Sequence, residues 1–83
     1  MMANVIIHTT PWCPYCTRAK QLLDTKSVEY QEVDVSEAQN RAEMQSLTGG
    51  RTVPQVVIND QPIGGCDELY ALERSGELDK LLS

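Results

Sequence analysis

Basic residues are scarce in this chain of 83: Lys and Arg total 7 against 12 Asp and Glu, a formal charge of −5. So acidic a chain, with no basic cluster, lacks the electrostatic footprint that nucleic acid or an anionic membrane surface requires. No apolar run approaches the ~20 residues of a membrane-spanning helix. The opening Met1-Met2-Ala3-Asn4-Val5-Ile6-Ile7-His8 lacks the cationic segment and long apolar stretch of a secretion signal, so the expected location is the cytoplasm. Cysteine is also sparse. Three residues, two close together and one far downstream, do not make the disulfide framework of a small secreted fold. Internal repeats and linkers are absent as well. What is present is an ordinary globular composition, 41% hydrophobic and 23% charged, which excludes disorder. At this length one core is the limit, and residues 1–83 are read as one domain.

The hydrophobic pattern alternates between strand and helix. Val5-Ile6-Ile7-His8 reads as a buried strand ended by Thr9-Thr10-Pro11. Pro14 opens a helix in which Tyr15, Ala19, Leu22 and Leu23 recur at helical spacing. Residues 28–35 alternate as a strand. Ser36 is the expected N-cap of a helix reaching about Leu47, with a weak apolar face of Ala38, Ala42, Met44 and Leu47, stopped by Gly49-Gly50. Gln55-Val56-Val57-Ile58 is a third strand. Asn59-Asp60 turns it into Gln61-Pro62-Ile63, where the proline requires an edge strand. After Gly64-Gly65 a helix carries Leu69 and Leu72. Ser75-Gly76 ends it, and Leu78, Leu81 and Leu82 form a last apolar face. The order β-α-β-α-β-β-α predicts an α/β fold, a mixed sheet with helices on its faces.

Cys13-Pro14-Tyr15-Cys16 lies where the first strand passes into the first helix. Proline suits the first helical position because the N–H it lacks would be unpaired there. Cys13 is thereby placed at the N-cap, where free N–H groups and the helix dipole favour a thiolate, the species that attacks a disulfide. Cys16, one turn on, is placed to resolve a mixed disulfide formed on Cys13. The competing chemistry is metal, since Cys13, Cys16, Cys66 and His8 supply a Cys3His donor set by count. Zinc knuckles, however, come as two close pairs, and C-x-x-C beside a βαβ pattern is a redox signature, so no metal site is expected.

With Cys13-Pro14-Tyr15-Cys16, Thr52-Val53-Pro54 and Gly64-Gly65-Cys66-Asp67 together, the sequence resembles the glutaredoxin family, most of all its small bacterial dithiol members. The resemblance spans essentially the whole chain. It implies a thioredoxin fold with a four-stranded mixed sheet flanked by helices, acting as a monomer. It also implies glutathione as reducing cosubstrate and no permanently bound cofactor. The substrates implied are glutathionylated proteins and disulfide-containing proteins, within electron transport and redox homeostasis. It further implies that the Val53–Pro54 bond is cis and that Val53 pairs with the cysteine of glutathione, as in strand addition. The γ-glutamyl carboxylate would meet the N–H groups of Cys66 and Asp67, after Gly65, and its amino group the Asp67 side chain. Thr52 and Tyr15 join the glutathione contacts. Arg51 is the first candidate for the glycine carboxylate and Arg41 a weaker one, which otherwise reads as a solvated helix charge.

The chain departs from the family at Thr10, where a Lys or Arg usually assists the thiolate, and at His8, where an aromatic is usual and strand packing is the expected role. Trp12 either lines the approach to Cys13 or simply packs. The Cys66 sulfur is either a bystander to its own N–H or, by the helix-dipole argument, an oxidisable secondary thiol. Two rival activities remain: a thioredoxin-like reductant served by a flavoprotein, and an iron–sulfur cluster carrier bridged by Cys13 and glutathione. The Gly64-to-Asp67 motif opposes the first; Pro14 and Cys16 oppose the second.

Overall fold

Runs such as Val5-Ile6-Ile7 and Val56-Val57-Ile58 are apolar in both directions of the pleat, and a strand of that kind needs cover on both faces. A computed structural model describes residues 3–82 and supplies that cover. In chain order the elements are β1 (Val5–Thr9), α1 (Pro14–Thr25), β2 (Gln31–Asp34), α2 (Ala38–Thr48), β3 (Gln55–Ile58), β4 (Gln61–Gly64), α3 (Cys66–Ser75) and α4 (Glu77–Leu82). The four strands form one sheet in the order β2-β1-β3-β4, so the two apolar runs are central. β1 is parallel to β2 and antiparallel to β3, and β3 is antiparallel to β4. This is the thioredoxin fold, with the expected mixed sheet and flanking helices.

One face of the sheet carries the main core. Val5, Ile7, Val56 and Ile58 pack with Ala19, Leu22 and Leu23 of α1, Leu69 of α3, and Leu78 and Leu82 of α4. Each such large aliphatic side chain stabilises the fold by roughly 1.5–3 kcal/mol. Val57 alternates to the other face, where α2 lies against β3 and buries Met44. The weakness expected of the α2 face is borne out: Met44 is its one buried residue, and Leu47 is exposed.

Three local details differ from the sequence expectation. β2 begins at Gln31 rather than Val28, because its pairing with β1 starts at Ile6↔Gln31 and the preceding residues have no strand to meet. Ser36 does not cap α2. Its N–H is taken by Asp34 Oδ1 at 2.8 Å, and the helix starts after Glu37, which makes no side-chain cap. Lastly, α3 ends at Gly76 as expected, with a left-handed φ of 82°, but the last apolar face forms a separate helix, α4, which the β-α-β-α-β-β-α order did not include. Lys26 at the end of α1 clamps both pieces, reaching Glu73 at 2.6 Å and Asp79 at 2.9 Å.

The hairpin turn matches its sequence signal. Asn59 and Asp60 both have positive φ, 52° and 67°, as a tight turn between right-twisted strands requires. Pro62 sits on edge strand β4, beside a bulge in the pairing with Val56 and Val57. Asn59 also exchanges bonds with Asn4, donating from its N–H to the Asn4 carbonyl at 2.8 Å and accepting the Asn4 N–H on Oδ1 at 2.9 Å. Its Nδ2 donates to the Leu81 carbonyl at 3.5 Å. Among the described residues, no helix is long and apolar enough to cross a membrane.

Candidate active site

Cys13 ends the turn that follows β1. Its backbone is extended (φ −98°, ψ 113°), Pro14 begins α1, and its side chain caps the helix by accepting the Cys16 N–H on Sγ at 3.3 Å. The sulfur thus occupies the electropositive end of α1, whose first turn holds no acidic residue to oppose a negative charge. Cys13 is part-exposed, whereas Cys16 is only 1% exposed. Burial, and next the hydrogen bond with Cys13, push the Cys16 thiol up to about 12. Two thiols one helical turn apart therefore have unlike environments.

Across from them, the Val53–Pro54 bond is cis, as the resemblance implies. The Val53 carbonyl lies 3.8 Å from Cys13 Sγ, within reach of its S–H. Behind Val53 the strand is fixed by His8, whose ring donates from Nδ1 to the Gln55 carbonyl at 3.1 Å; an accepting carbonyl requires the proton on that nitrogen. His8 is buried between the central strands, so its expected role in strand packing stands. Gly65 closes the arrangement. A Cβ at this position would sit 3.2 Å from the Pro54 carbonyl, so the second and third motifs touch through backbone alone. Gly65 is also the N-cap of α3 and provides no side chain to cap it, which leaves the first N–H groups of that helix open.

These parts surround one cleft of about 360 Å³, lined by Tyr15, Thr52, Val53, Pro54, Gln55, Gly65, Cys66, Asp67 and Glu68. The N-termini of α1 and α3 both open on it, giving an electropositive cradle for a carboxylate and, in Asp67, an acidic group for an amine. Of the residues read from the sequence, Tyr15, Thr52, Val53, Pro54, Gly65, Cys66 and Asp67 are brought together here, with Cys13 adjoining through Val53. Arg51 is exposed and is not part of this lining. Arg41 is likewise outside the lining; its Nη1 donates to the Arg51 carbonyl at 2.8 Å and ties α2 to the loop before Val53.

Gln55 and Glu68 were not singled out by the sequence. Gln55 looks like one more strand residue, and only the fold shows its amide turned toward Thr52 Oγ1, 3.5 Å away. Glu68 reads as a first-turn helix acid and nothing more. Cys66 is 7% exposed, and burial pushes its thiol up, outweighing a nearby Arg18. The dipole argument for an acidified Cys66 is therefore overridden by desolvation. Trp12, 76% exposed, does not pack. Among the described residues no group of His, Cys, Asp and Glu is arranged to hold a metal ion.

Known proteins place the chain in context. The sequence profile of the family described as Glutaredoxin matches residues 5–63. A glutaredoxin of Pseudomonas aeruginosa is 53% identical over 83 residues, covering 99% of this chain and 99% of its own. The solution structure of a glutaredoxin from Brucella melitensis superposes with a TM-score of 0.86 at 54% identity, covering 98% of this chain and 89% of that one. A crystal structure of a buckwheat glutaredoxin–glutathione complex gives a TM-score of 0.87 at 33% identity, over 96% of this chain and 76% of that one.

Proposed function

The chain belongs to the glutaredoxin family and is a glutathione-dependent thiol–disulfide oxidoreductase, and we propose that Cys13 is its nucleophile and Cys16 its resolving thiol. The observation that carries this reading is the unlike setting of the pair. Cys13 Sγ takes an N–H at the positive end of α1, while Cys16 is buried and held as a thiol. A thiolate is the nucleophile in disulfide exchange, so the sulfur whose charge is stabilised attacks first.

On a glutathionylated protein, Cys13 thiolate attacks the glutathione sulfur. A Cys13–glutathione bond forms as the old disulfide breaks, and the protein sulfur departs with the electron pair and takes a proton from water. A second glutathione, as thiolate, attacks the sulfur of the bound one, releasing oxidised glutathione and Cys13. On a protein disulfide, Cys13 forms the mixed disulfide with the protein and Cys16 displaces it, closing a Cys13–Cys16 disulfide that two glutathione molecules reopen. Electrons come from glutathione at every stage, so the cycle needs no resident cofactor.

In this reading glutathione fills the cleft. Its cysteine pairs with the Val53 backbone beside Pro54 and Thr52, with Tyr15 flanking the sulfur. Its γ-glutamyl carboxylate lies on the N–H groups of Cys66 and Asp67 after Gly65, its amino group on the Asp67 carboxylate, and its glycine carboxylate toward Arg51. The protein works as a cytoplasmic monomer in electron transport to glutathionylated and disulfide-containing proteins.

The test is turnover of a glutathione mixed disulfide, coupled to glutathione and its reductase. Cys16→Ser should retain deglutathionylation and lose reduction of protein disulfides; Cys13→Ser should lose both. Substantial turnover by Cys13→Ser would overturn the assignment.

A further inference from the structure

Exposed large hydrophobic side chains are few among the described residues: Trp12 at 76%, Tyr15 at 56% and Leu47 at 53%. Leu47 on α2 is the kind of isolated apolar residue any surface carries. The other two flank Cys13, and Pro11 and Pro14 beside them are exposed as well. The nucleophile therefore sits inside an apolar collar. Tyr15 belongs to the cleft, but Trp12 is not among the residues that line it. The indole makes no hydrogen bond and packs against no core. A cleft filled by a tripeptide leaves Trp12 uncovered.

We propose that Trp12 is a specificity-determining residue, the contact surface for the polypeptide that carries the glutathionylated or disulfide-bonded cysteine. The proposal rests on Cys13 being the nucleophile and the cleft being the glutathione site. Displacement at sulfur is in line: as the Cys13–glutathione bond forms, the protein sulfur leaves from the opposite side of the glutathione sulfur. The glutathione half of the substrate is held in the cleft, so the polypeptide half lies outside it, and the chain flanking its cysteine spreads over the exposed surface around the cleft mouth, where Pro11, Trp12 and Pro14 stand. Trp12 is the largest apolar surface there. An indole combines a broad flat face for backbone and aliphatic groups with an N–H free to donate, the combination that makes tryptophan a frequent anchor at protein contacts. Trp12 sits in the turn that the Cys13 N–H closes on the Thr10 carbonyl at 3.4 Å, with Pro11 fixing the residue before it. The partner is an extended stretch of chain around the modified cysteine, recognised by its apolar and backbone surface and not by charge.

The experiment compares two probes on the same variants: glutathionylated serum albumin, and the mixed disulfide of glutathione with 2-mercaptoethanol. Trp12→Ala should lower the ratio of kcat/KM for the protein probe to kcat/KM for the small probe about tenfold, through KM. Trp12→Phe, which keeps a flat face, should restore most of that ratio. A ratio unchanged from wild type, with or without a common loss on both probes, overturns the proposal, since a common loss means that Trp12 only supports the Cys13 turn. Far-ultraviolet circular dichroism and the melting temperature verify that the variants fold. Failure of the underlying reading is separable: it would appear as turnover of the small probe by Cys13→Ser.

Discussion

Reduced protein given a limiting dose of iodoacetamide should be labelled on Cys13 and almost not at all on Cys16. Alkylation proceeds through the thiolate. Cys16 is 1% exposed, and its thiol is pushed from 9.0 up to about 12, by burial first and by the hydrogen bond with Cys13 second. At about pH 7.5 a thiol titrating at 9.0 is about 3% ionised, and one at 12 about 0.003%, a roughly thousandfold deficit before any steric hindrance. Two of the causes that raise Cys16 arise from Cys13 itself, through the hydrogen bond and its charge. Capping Cys13 as a mixed disulfide removes both and leaves burial, so Cys16 should become more acidic when it is needed to resolve. The assay is a pulse of iodoacetamide across pH 7 to 11, read by peptide mass spectrometry on reduced protein and on protein with Cys13 glutathionylated. The half-rise of Cys16 labelling should lie far above pH 9 in the first and lower in the second. A half-rise near 9 in reduced protein, or the same half-rise in both, would refute the argument. The same shift has a stability sign: the folded state retains a proton that the unfolded chain releases. This stabilisation is complete below about pH 9 and lost as pH rises toward 12, so stability should fall less steeply with alkaline pH in Cys16→Ser than in the wild type, the rest of the fall coming from Cys66, Tyr30, Lys20 and Lys26, which are shifted the same way.

Asp67→Ala should raise the apparent KM for the glutathione–mercaptoethanol disulfide about tenfold, because a charge-assisted contact in the cleft is lost, while Arg51→Ala, outside the lining, should raise it less; steady-state kinetics on both variants decide this, and equal values would mean the cleft does not orient its ligand as described. Gly65→Ala places a methyl 3.2 Å from the Pro54 carbonyl, so the cleft must widen by a few tenths of an ångström; a loss of about 1–3 kcal/mol in stability is expected by thermal unfolding, with weaker glutathione use, and an unaltered variant would show that this contact is not tight.

The fold was legible because its signals were redundant. The apolar runs at Val5 and Val56, the Asn59-Asp60 turn and Pro62 each mark a strand or its place in the sheet. Boundaries were less legible where tertiary pairing decides them: residues 28–30 alternate like a strand, yet β1 offers them no partner. Ser36 had the chemistry of a cap, but the helix begins one residue too late for it, with Glu37 at the N-cap position. At the site, motifs show which residues belong to it and not how they are spaced. Nothing in the sequence sets Gly65 against the Pro54 carbonyl or gives Arg41 the carbonyl of Arg51. Burial is also a property of the fold alone, which is why the dipole argument served Cys13 and misled at Cys66.

Asn59 has a topological consequence. Its main chain and amide together hold Asn4 and Leu81, so the two ends of the described chain meet at one side chain. That meeting point lies at the far end of the central strands from Cys13: the β1–β3 register places Ile58 beside Val5, and Gln55, next to Pro54, beside His8. The described chain, from Asn4 to Leu81, is in effect a ring with one gap, and the gap is remote from the chemistry. Bridging it with a short linker and reopening the backbone at the exposed Gly49 would keep the same strand register while changing the order of the elements along the chain. The site is thus specified by strand register and by two helix N-termini, and is indifferent to which element leaves the ribosome first.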